Sequence, residues 1–255
     1  MSDAGGQITH LGVLYQDKIA ALYLGRMLDP RAANLPLDQQ VVEVRGEKPG
    51  AEVDDVYVRF ADGHARFIQA KTALQDSGKP WEKLWEHFYH QHIGKDFGGK
   101  DRLVLLMGDY AKWYKDLKTI TQKASSSEDL AVWRARLVSD EHKDLAKKLA
   151  RLLNKISQTP VEGKDYTPSE EPGQEDYQRL KDLLSRVELE FIENETIESI
   201  QLTYWMPDSS VNLAALFSHL CSLVTAYSSQ GKRFLVEGLE EELQRLGVAI
   251  KPLEQ

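Results

Sequence analysis

Two strand-like runs around an Asp-Gly pair constrain the fold of this chain more than any other feature. The stretch DVYVRFADGHARFIQAKT, residues 55–72, is rich in β-branched and aromatic residues on both sides of Asp62 and Gly63. An Asp-Gly pair between two such runs is a strong signal for a short hairpin turn. The sequence therefore predicts two neighbouring antiparallel strands here.

The segments on either side of this hairpin predict a mixed α/β fold. Hydrophobic periodicity and short apolar runs mark the helices and strands. The predicted order is α-β-β-β-α-β-α, a mixed sheet flanked by helices. The segments are a helix at residues 10–29, a strand at 39–47, the hairpin, a helix at 80–97, a strand at 101–111 and a helix at 112–124.

The second half of the chain is predicted to be largely helical, because its apolar residues recur with helical spacing. Residues 177–192 are included in this helical pattern, residues 198–206 are read as one extra strand, and residues 158–176 as a Pro-rich loop. We therefore expect a core domain at residues 1–125. Residues 126–255 would form a helical region that packs on the core or mediates assembly.

Charge and cysteine content narrow the class of protein. The net charge of −8 argues against a protein that coats nucleic acid by charge alone. It does not exclude an enzyme whose acids hold a cation against phosphates. A single cysteine, Cys221, rules out an intramolecular disulfide and fits a cytoplasmic location. The first residues, MSDAGGQITH, lack a basic region and an apolar run, so we expect no secretion signal. The sequence has no run of apolar residues long enough to cross a membrane.

The hairpin brings polar residues together at one end. Gln69 and Lys71 lie on one face of their strand because side chains alternate. A two-residue turn would pair Asp54 with Lys71, and a three-residue turn that includes His64 would pair Asp55 with Lys71. Either register places one carboxylate beside the ammonium and near the amide. The position of Asp55 at the mouth of the apolar strand favours it.

Glu43 adds a second acid, since it stands between valines on the preceding strand. If that strand neighbours the hairpin, Glu43 can point to the same end. Two carboxylates with an amide oxygen from Gln69 suit Mg²⁺ or Mn²⁺, hard ions that prefer oxygen ligands. A metal ion with a neighbouring lysine is the minimum equipment for hydrolysing a phosphodiester.

A surface ion pair across a hairpin is the simpler interpretation of the same residues, and such pairs contribute little. The first helix favours the functional interpretation. Its residues Gly12, Gln16, Ala20 and Leu24 are spaced by four and form one stripe. A glutamine inside a packing stripe needs hydrogen-bond partners, either on the backbone or at the metal site.

These pieces resemble a known family when they are taken together. The segments GVLYQDKIAALYLGRML, VVEV, EVDDVYV and FIQAKT are similar to the N-terminal double-stranded DNA endonuclease domain of bacterial antiviral effectors. That domain precedes SAVED domains in cyclic-oligonucleotide (CBASS) defence and STAND NTPase domains in antiviral sensors. It belongs to the PD-(D/E)xK superfamily, in the QxK branch with the Mrr restriction enzymes.

The resemblance implies a restriction-endonuclease-like fold and a set of site residues. Glu43, Asp55 (or Asp54), Gln69 and Lys71 would be catalytic, with Glu43, Asp54, Asp55 and Gln69 as metal ligands and Gln16 in support. The implied substrate is double-stranded DNA, and cutting both strands requires two copies. Such a nuclease endangers its host, so we expect it to be gated. Because no P-loop signature occurs, the gate would be a separate sensor or NTPase domain or subunit.

Other interpretations remain open at the level of sequence. The chain can be a catalytically silent nuclease fold used for binding or assembly, and RNA can replace DNA as substrate. A zinc site at His87, His90 and His92 is disfavoured, since His92 does not share their helix face and no cysteine is near. The tryptophans are expected to pack in the core more often than to stack on bases.

Overall fold

The computed structural model describes residues 3–28, 34–53, 55–158, 171–194, 196–197, 213–245 and 247, with the backbone alone at residues 3–11 and 213. Helices and strands within these ranges are numbered separately in chain order. The helices are α1 (Asp3–Met27), α2 (Gly78–Ile93), α3 (Lys112–Ser125), α4 (Leu130–Arg136), α5 (Asp140–Ser157), α6 (Gln174–Leu184), α7 (Leu213–Ser228) and α8 (Val236–Arg245). The strands are β1 (Val41–Arg45), β2 (Val56–Phe60), β3 (Ala65–Lys71), β4 (Arg102–Met107) and β5 (Val187–Phe191).

The strands form one mixed sheet in the order β1-β2-β3-β4-β5. The first three strands are an antiparallel meander, whereas β3 and β4 run parallel. A parallel pair needs a long crossover, which here contains α2. The predicted order of the first seven elements, α-β-β-β-α-β-α, is confirmed.

One predicted helix is partly wrong. Residues 177–192 were expected to be helical throughout, but α6 ends at Leu184 and β5 begins at Val187. Val187 and Leu189 are buried while Glu188 and Glu190 are only half-buried, so the short segment has the alternation of a strand. The extra strand predicted at residues 198–206 lies outside the described residues.

The chain divides into two compact units that interleave along the sequence. Unit 1 comprises Met1–Thr72, Gly98–Asp109 and Glu190–Gln255, and unit 2 comprises Ala73–Phe97 and Tyr110–Leu189. The boundary between them passes through β5. The sequence predicted one boundary after residue 125 instead. Periodicity along the chain cannot show that late helices return to an early core.

Unit 1 is built around one face of the sheet. Side chains from α1, from the inward-facing positions of β1 to β4, and from α7 and α8 form one buried cluster. Gly46, directly after β1, lies so close to α7 that an added Cβ would sit 1.7 Å from the hydroxyl oxygen of Ser228. The late helices α7 and α8 are therefore part of the same core as the hairpin.

Unit 2 packs around tryptophans. Trp81, Trp85 and Trp133 are at most 1% exposed, which confirms the expectation that such residues pack in a core. The rings of Trp81 and Trp85 meet edge to face at 5.6 Å, an arrangement that aromatic pairs prefer. None of the helices in the described part of the chain is long and apolar enough to cross a membrane.

His92 makes unit 2 sensitive to acid. Burial lowers the pKa of His92 below its usual 6.5, Arg186 lowers it further, and Asp182 opposes them. The unfolded chain then binds the proton more tightly, so stability rises with pH between the lowered pKa and about 6.5. We expect the midpoint of thermal unfolding to fall on acidification below about pH 6.5, and to fall less in His92→Phe. Equal falls in both proteins would contradict this origin.

Candidate functional site

The loop between β2 and β3 determines which residues meet at the end of the hairpin. It consists of Ala61, Asp62 and Gly63: the N–H of Gly63 donates to the carbonyl of Phe60 at 3.0 Å, and the N–H of Phe60 donates to that of His64 at 2.9 Å. Gly63 has a φ of +89°. This is the three-residue hairpin in which a type I turn is followed by a left-handed glycine.

This loop sets a strand register that the sequence did not predict. Val56 lies opposite Ile68, which continues to Asp55 opposite Gln69. The two registers considered from sequence, from a two-residue turn and from a three-residue turn containing His64, are both wrong. The third loop residue precedes the Asp-Gly pair instead of following it.

The register brings three polar residues together. One oxygen of Asp55, Oδ2, accepts hydrogen bonds from the backbone N–H of Ala70 at 3.0 Å and from Nζ of Lys71 at 3.1 Å. The same oxygen accepts a close contact from the side-chain amide of Gln69. The predicted meeting of one carboxylate with the lysine and the glutamine is confirmed for Asp55. Their roles in catalysis stay predictions.

This cluster is sheltered but not sealed. Gln69 is 4% exposed, whereas the side chain of Asp55 is 11% exposed and that of Lys71 is 33% exposed. The glutamine side chain is thus buried, while the lysine and, to a smaller extent, the carboxylate are exposed to solvent. Such an arrangement holds a carboxylate in one orientation and leaves its charged partner accessible to a substrate.

Asp54 and Gln16 are not placed in this cluster. Asp54 lies outside the described residues. Gln16 is half-buried on α1, and the contacts described for the Asp55 carboxylate do not include it. The helix does approach this edge of the sheet, because a Cβ added to Gly108 after β4 would lie 3.2 Å from the ring of Tyr15.

Glu43 does not join Asp55, contrary to the expectation from sequence. It lies opposite Arg59, four residues beyond Asp55 on β2, or about 13 Å at 3.3 Å per residue. Its Oε1 accepts a hydrogen bond from Nε of Arg45 at 2.7 Å, and its Oε2 forms an ion pair with Nη2 of Arg59 at 2.8 Å. Both oxygens of this 3% exposed carboxylate are therefore engaged by arginines.

The donor set for a metal ion is correspondingly small. Within the described residues no group of three or more His, Cys, Asp or Glu side chains is arranged to hold a metal. Asp55 supplies one carboxylate and Gln69 one amide oxygen. Mg²⁺ commonly binds through one or two carboxylates with waters and substrate phosphates. The described residues fit such a site if water and phosphate oxygens complete it.

A cleft of about 660 Å³ in unit 2 contains none of the predicted site residues. It is lined by Trp81 and Leu152 together with cations from α5. Acids pair with these cations: Lys148 contacts Asp76, Lys155 contacts Glu82, and Lys147 contacts Glu171. The paired charges leave little net attraction for a charged ligand.

Comparisons with known proteins show which solved structures resemble this fold. No known family model and no curated protein matches this chain in sequence. Solved structures of the Cap4 SAVED/CARF-domain containing receptor of Acinetobacter baumannii match 92% of it at 13% identity and a TM-score of 0.51, one of them with the cyclic trinucleotide 3'3'3'-cAAA. The Moraxella osloensis Cap4 receptor matches 92% at 15% identity and a TM-score of 0.47.

The likeness to the Acinetobacter receptor is one of fold. This chain spans a little under half of that receptor, 46–48% of its length. The coarser part of the resemblance seen in the sequence is thereby supported: the mixed α/β fold is shared with a receptor that contains a SAVED domain. Assignment to the PD-(D/E)xK superfamily stays a prediction.

Proposed function

We propose that this chain is a metal-dependent endonuclease of double-stranded DNA that acts in bacterial antiphage defence. The observation that carries the proposal is the Asp55 carboxylate, shared between Lys71 and Gln69 at one end of the hairpin. The α-β-β-β-α-β order and the mixed sheet support a restriction-endonuclease-like fold. The likeness to the Cap4 receptor supports the connection with defence.

Each residue of the cluster has a role in the proposed reaction. Mg²⁺ or Mn²⁺, when bound, would polarise the scissile phosphate and acidify a water molecule. Asp55 would hold the ion, and the backbone N–H of Ala70 keeps that carboxylate in place. Gln69 turns its amide nitrogen to Asp55 and so leaves its oxygen for the ion or a water. Lys71 would position the attacking water and neutralise the charge that develops on the phosphate.

A DNA endonuclease endangers its own cell, so we propose that a sensor domain or partner subunit gates it. A solved structure of the Acinetobacter Cap4 SAVED/CARF-domain containing receptor contains a cyclic trinucleotide, which supports a nucleotide signal as the trigger. An NTPase sensor is the other candidate. Cutting both strands also calls for two copies of the site, so we expect activation to bring copies together.

A catalytically silent binding or assembly module is the second candidate. It is favoured by the engagement of Glu43 with two arginines, which leaves Asp55 as the one carboxylate described in the cluster. Titration with Mg²⁺ separates the two candidates, because a retired site has no reason to bind the ion. A cleavage assay with a structured RNA, run in parallel with the DNA substrate, shows which nucleic acid is cut.

The proposal is tested with a supercoiled plasmid incubated with the purified chain in Mg²⁺ or in EDTA. The chain is assayed alone and as a forced dimer, each with its Asp55→Asn variant. We expect cleavage by the wild-type dimer in Mg²⁺ and none by the variant. If neither the chain nor the forced dimer cuts DNA or RNA, the silent module is the better description.

The stability of the Gln69→Glu variant should depend on Mg²⁺. The change replaces a buried donor with a carboxylate against Asp55, so we expect a loss of about 1–3 kcal/mol of unfolding free energy in EDTA. Mg²⁺ should restore most of it, because the ion then bridges two acids. Thermal unfolding with and without Mg²⁺ measures both effects. Gln91→Glu, at an equally buried glutamine of α2, should lose stability without recovery in Mg²⁺.

A further inference from the structure

Several cations lie along the face of the sheet opposite the core with α1. They form a row that begins at the candidate site. Val56, Val58 and Phe60 of β2 belong to the core with α1. The alternate residues Tyr57 and Arg59 therefore lie on the opposite face, together with Asp55 that precedes the strand. Residues two apart are separated by about 6.6 Å along a strand, so positions on this face form a regular row.

Two arginines stand at the far end of this row, held by one acid. Glu43 binds Nε of Arg45 with one oxygen and Nη2 of Arg59 with the other. A carboxylate that is only 3% exposed is costly unless it is paired. A hydrogen bond from Arg45 and an ion pair with Arg59 hold both guanidinium groups at this carboxylate, while the arginine side chains remain 22% and 42% exposed.

A lysine occupies the middle of the row. Nζ of Lys48 lies 4.3 Å from the ring centroid of Tyr57 and 4.9 Å from that of Phe67. These distances are within the range of cation–π attraction. The aromatic rings thus hold an ammonium group over the strand position between Asp55 and Arg59.

We propose that Lys71, Lys48 and the Arg45–Arg59 pair form a track for the DNA backbone. The track binds phosphates along one strand of the DNA, on one side of the cleavage site. The inference rests on the proposed function, since Lys71 marks the scissile phosphate. From Asp55 to Arg59 the row spans about 13 Å, which equals about four base-pair rises of 3.4 Å. The track thus holds the duplex over several base pairs without reading their sequence.

The balance of charges in this row differs from that in the unit 2 cleft. In the cleft Lys147 and Arg151 share Glu171, Lys148 and Lys155 each contact an acid of their own, and Asp144 also lines the cleft, so four cations meet four acids. Here the two arginines share Glu43, and Asp101 is a second acid that acts on Tyr57, so the four cations Lys71, Lys48, Arg45 and Arg59 are set against the three acids Asp55, Glu43 and Asp101. In a chain with a net charge of −8, an excess of positive charge beside a proposed phosphodiester site favours an anionic backbone as its occupant.

The experiment measures DNA binding without cleavage. A short fluorescent duplex is titrated in EDTA at about 50 to 200 mM salt with the wild-type chain, Arg59→Gln, Lys48→Gln and the control Lys143→Gln. Lys143 is an exposed lysine paired with Asp140 on α5. Each lost phosphate contact should lower the slope of log K against log salt by about 0.9, and weaken binding about eightfold near 0.1 M salt.

Arg59→Lys and Lys48→Gln show whether weaker binding comes from a lost phosphate contact or from a loss of folding. The first keeps the charge and should retain most of the salt slope, whereas the second leaves Glu43 paired with both arginines. Reduced slopes in Arg59→Gln and Lys48→Gln, for duplexes of unrelated sequence, support the track. Wild-type slopes in both variants, or no binding by the wild-type chain, overturn it. The plasmid assay decides separately whether the chain is a nuclease.

Discussion

Lys71→Ala should lower the rate of plasmid cleavage by at least about 100-fold, the usual effect of removing a charge-stabilising group from a catalytic site. The ammonium lies 3.1 Å from Asp55 and is one-third exposed. It can therefore reach a phosphate while the carboxylate keeps it in place. Initial rates in Mg²⁺, with the chain in its active assembly, measure the effect.

The matched control is Lys143→Ala, which also removes an ammonium group from a lysine–aspartate pair, here at 3.3 Å from Asp140. It should cleave at the wild-type rate. Circular dichroism should show the same helix content in both variants. Wild-type cleavage by folded Lys71→Ala would remove Lys71 from the reaction and with it the assignment of this cluster as a nuclease site.

Trp133→Ala should destabilise unit 2 by about 3–5 kcal/mol, the range for truncating a buried aromatic residue. Trp133 of α4 is fully buried, and its indole N–H donates to the carbonyl of Ile120 at 3.3 Å. The substitution leaves a cavity and removes the donor from a buried carbonyl. Urea unfolding followed by circular dichroism measures the loss.

Val132→Ala is the neighbouring control, because Val132 is 43% exposed on the same helix. A surface truncation of this kind should change the unfolding free energy by no more than about 0.5 kcal/mol. Equal losses in the two variants would mean that α4 contributes to stability through its backbone and not through the buried tryptophan.

Local patterns predicted the part of the site that lies within one hairpin. Strand alternation and an Asp-Gly turn were enough to bring Asp55 to Gln69 and Lys71. The register could not be predicted, because an Asp-Gly pair fits loops of different length. The loop seen here is defined by the hydrogen bonds from the N–H of Gly63 to Phe60 and from the N–H of Phe60 to His64. An error of one residue in the length or position of the loop changes the partner of every residue along the two strands.

Glu43 shows why residues from separate segments are harder to predict. An acid between valines fits a metal ligand and a buried ion pair equally well. The pairing of β1 with β2, which includes a shift between Val41 and Glu43, decides between them. No local pattern encodes that shift or the two arginines that flank the carboxylate. The interleaved units escaped prediction for the same reason, since they depend on contacts between distant segments.

The return of α7 and α8 to the core of α1 has a consequence for synthesis. The ribosome makes Asp55, Gln69 and Lys71 early, but Leu216 and Leu243, which complete the same buried cluster, emerge roughly 7 to 35 s later at 5–20 residues per second. A nascent or prematurely terminated chain thus holds the candidate catalytic residues on an unfinished scaffold. The order of translation would then delay the proposed nuclease activity until α7 and α8 are made.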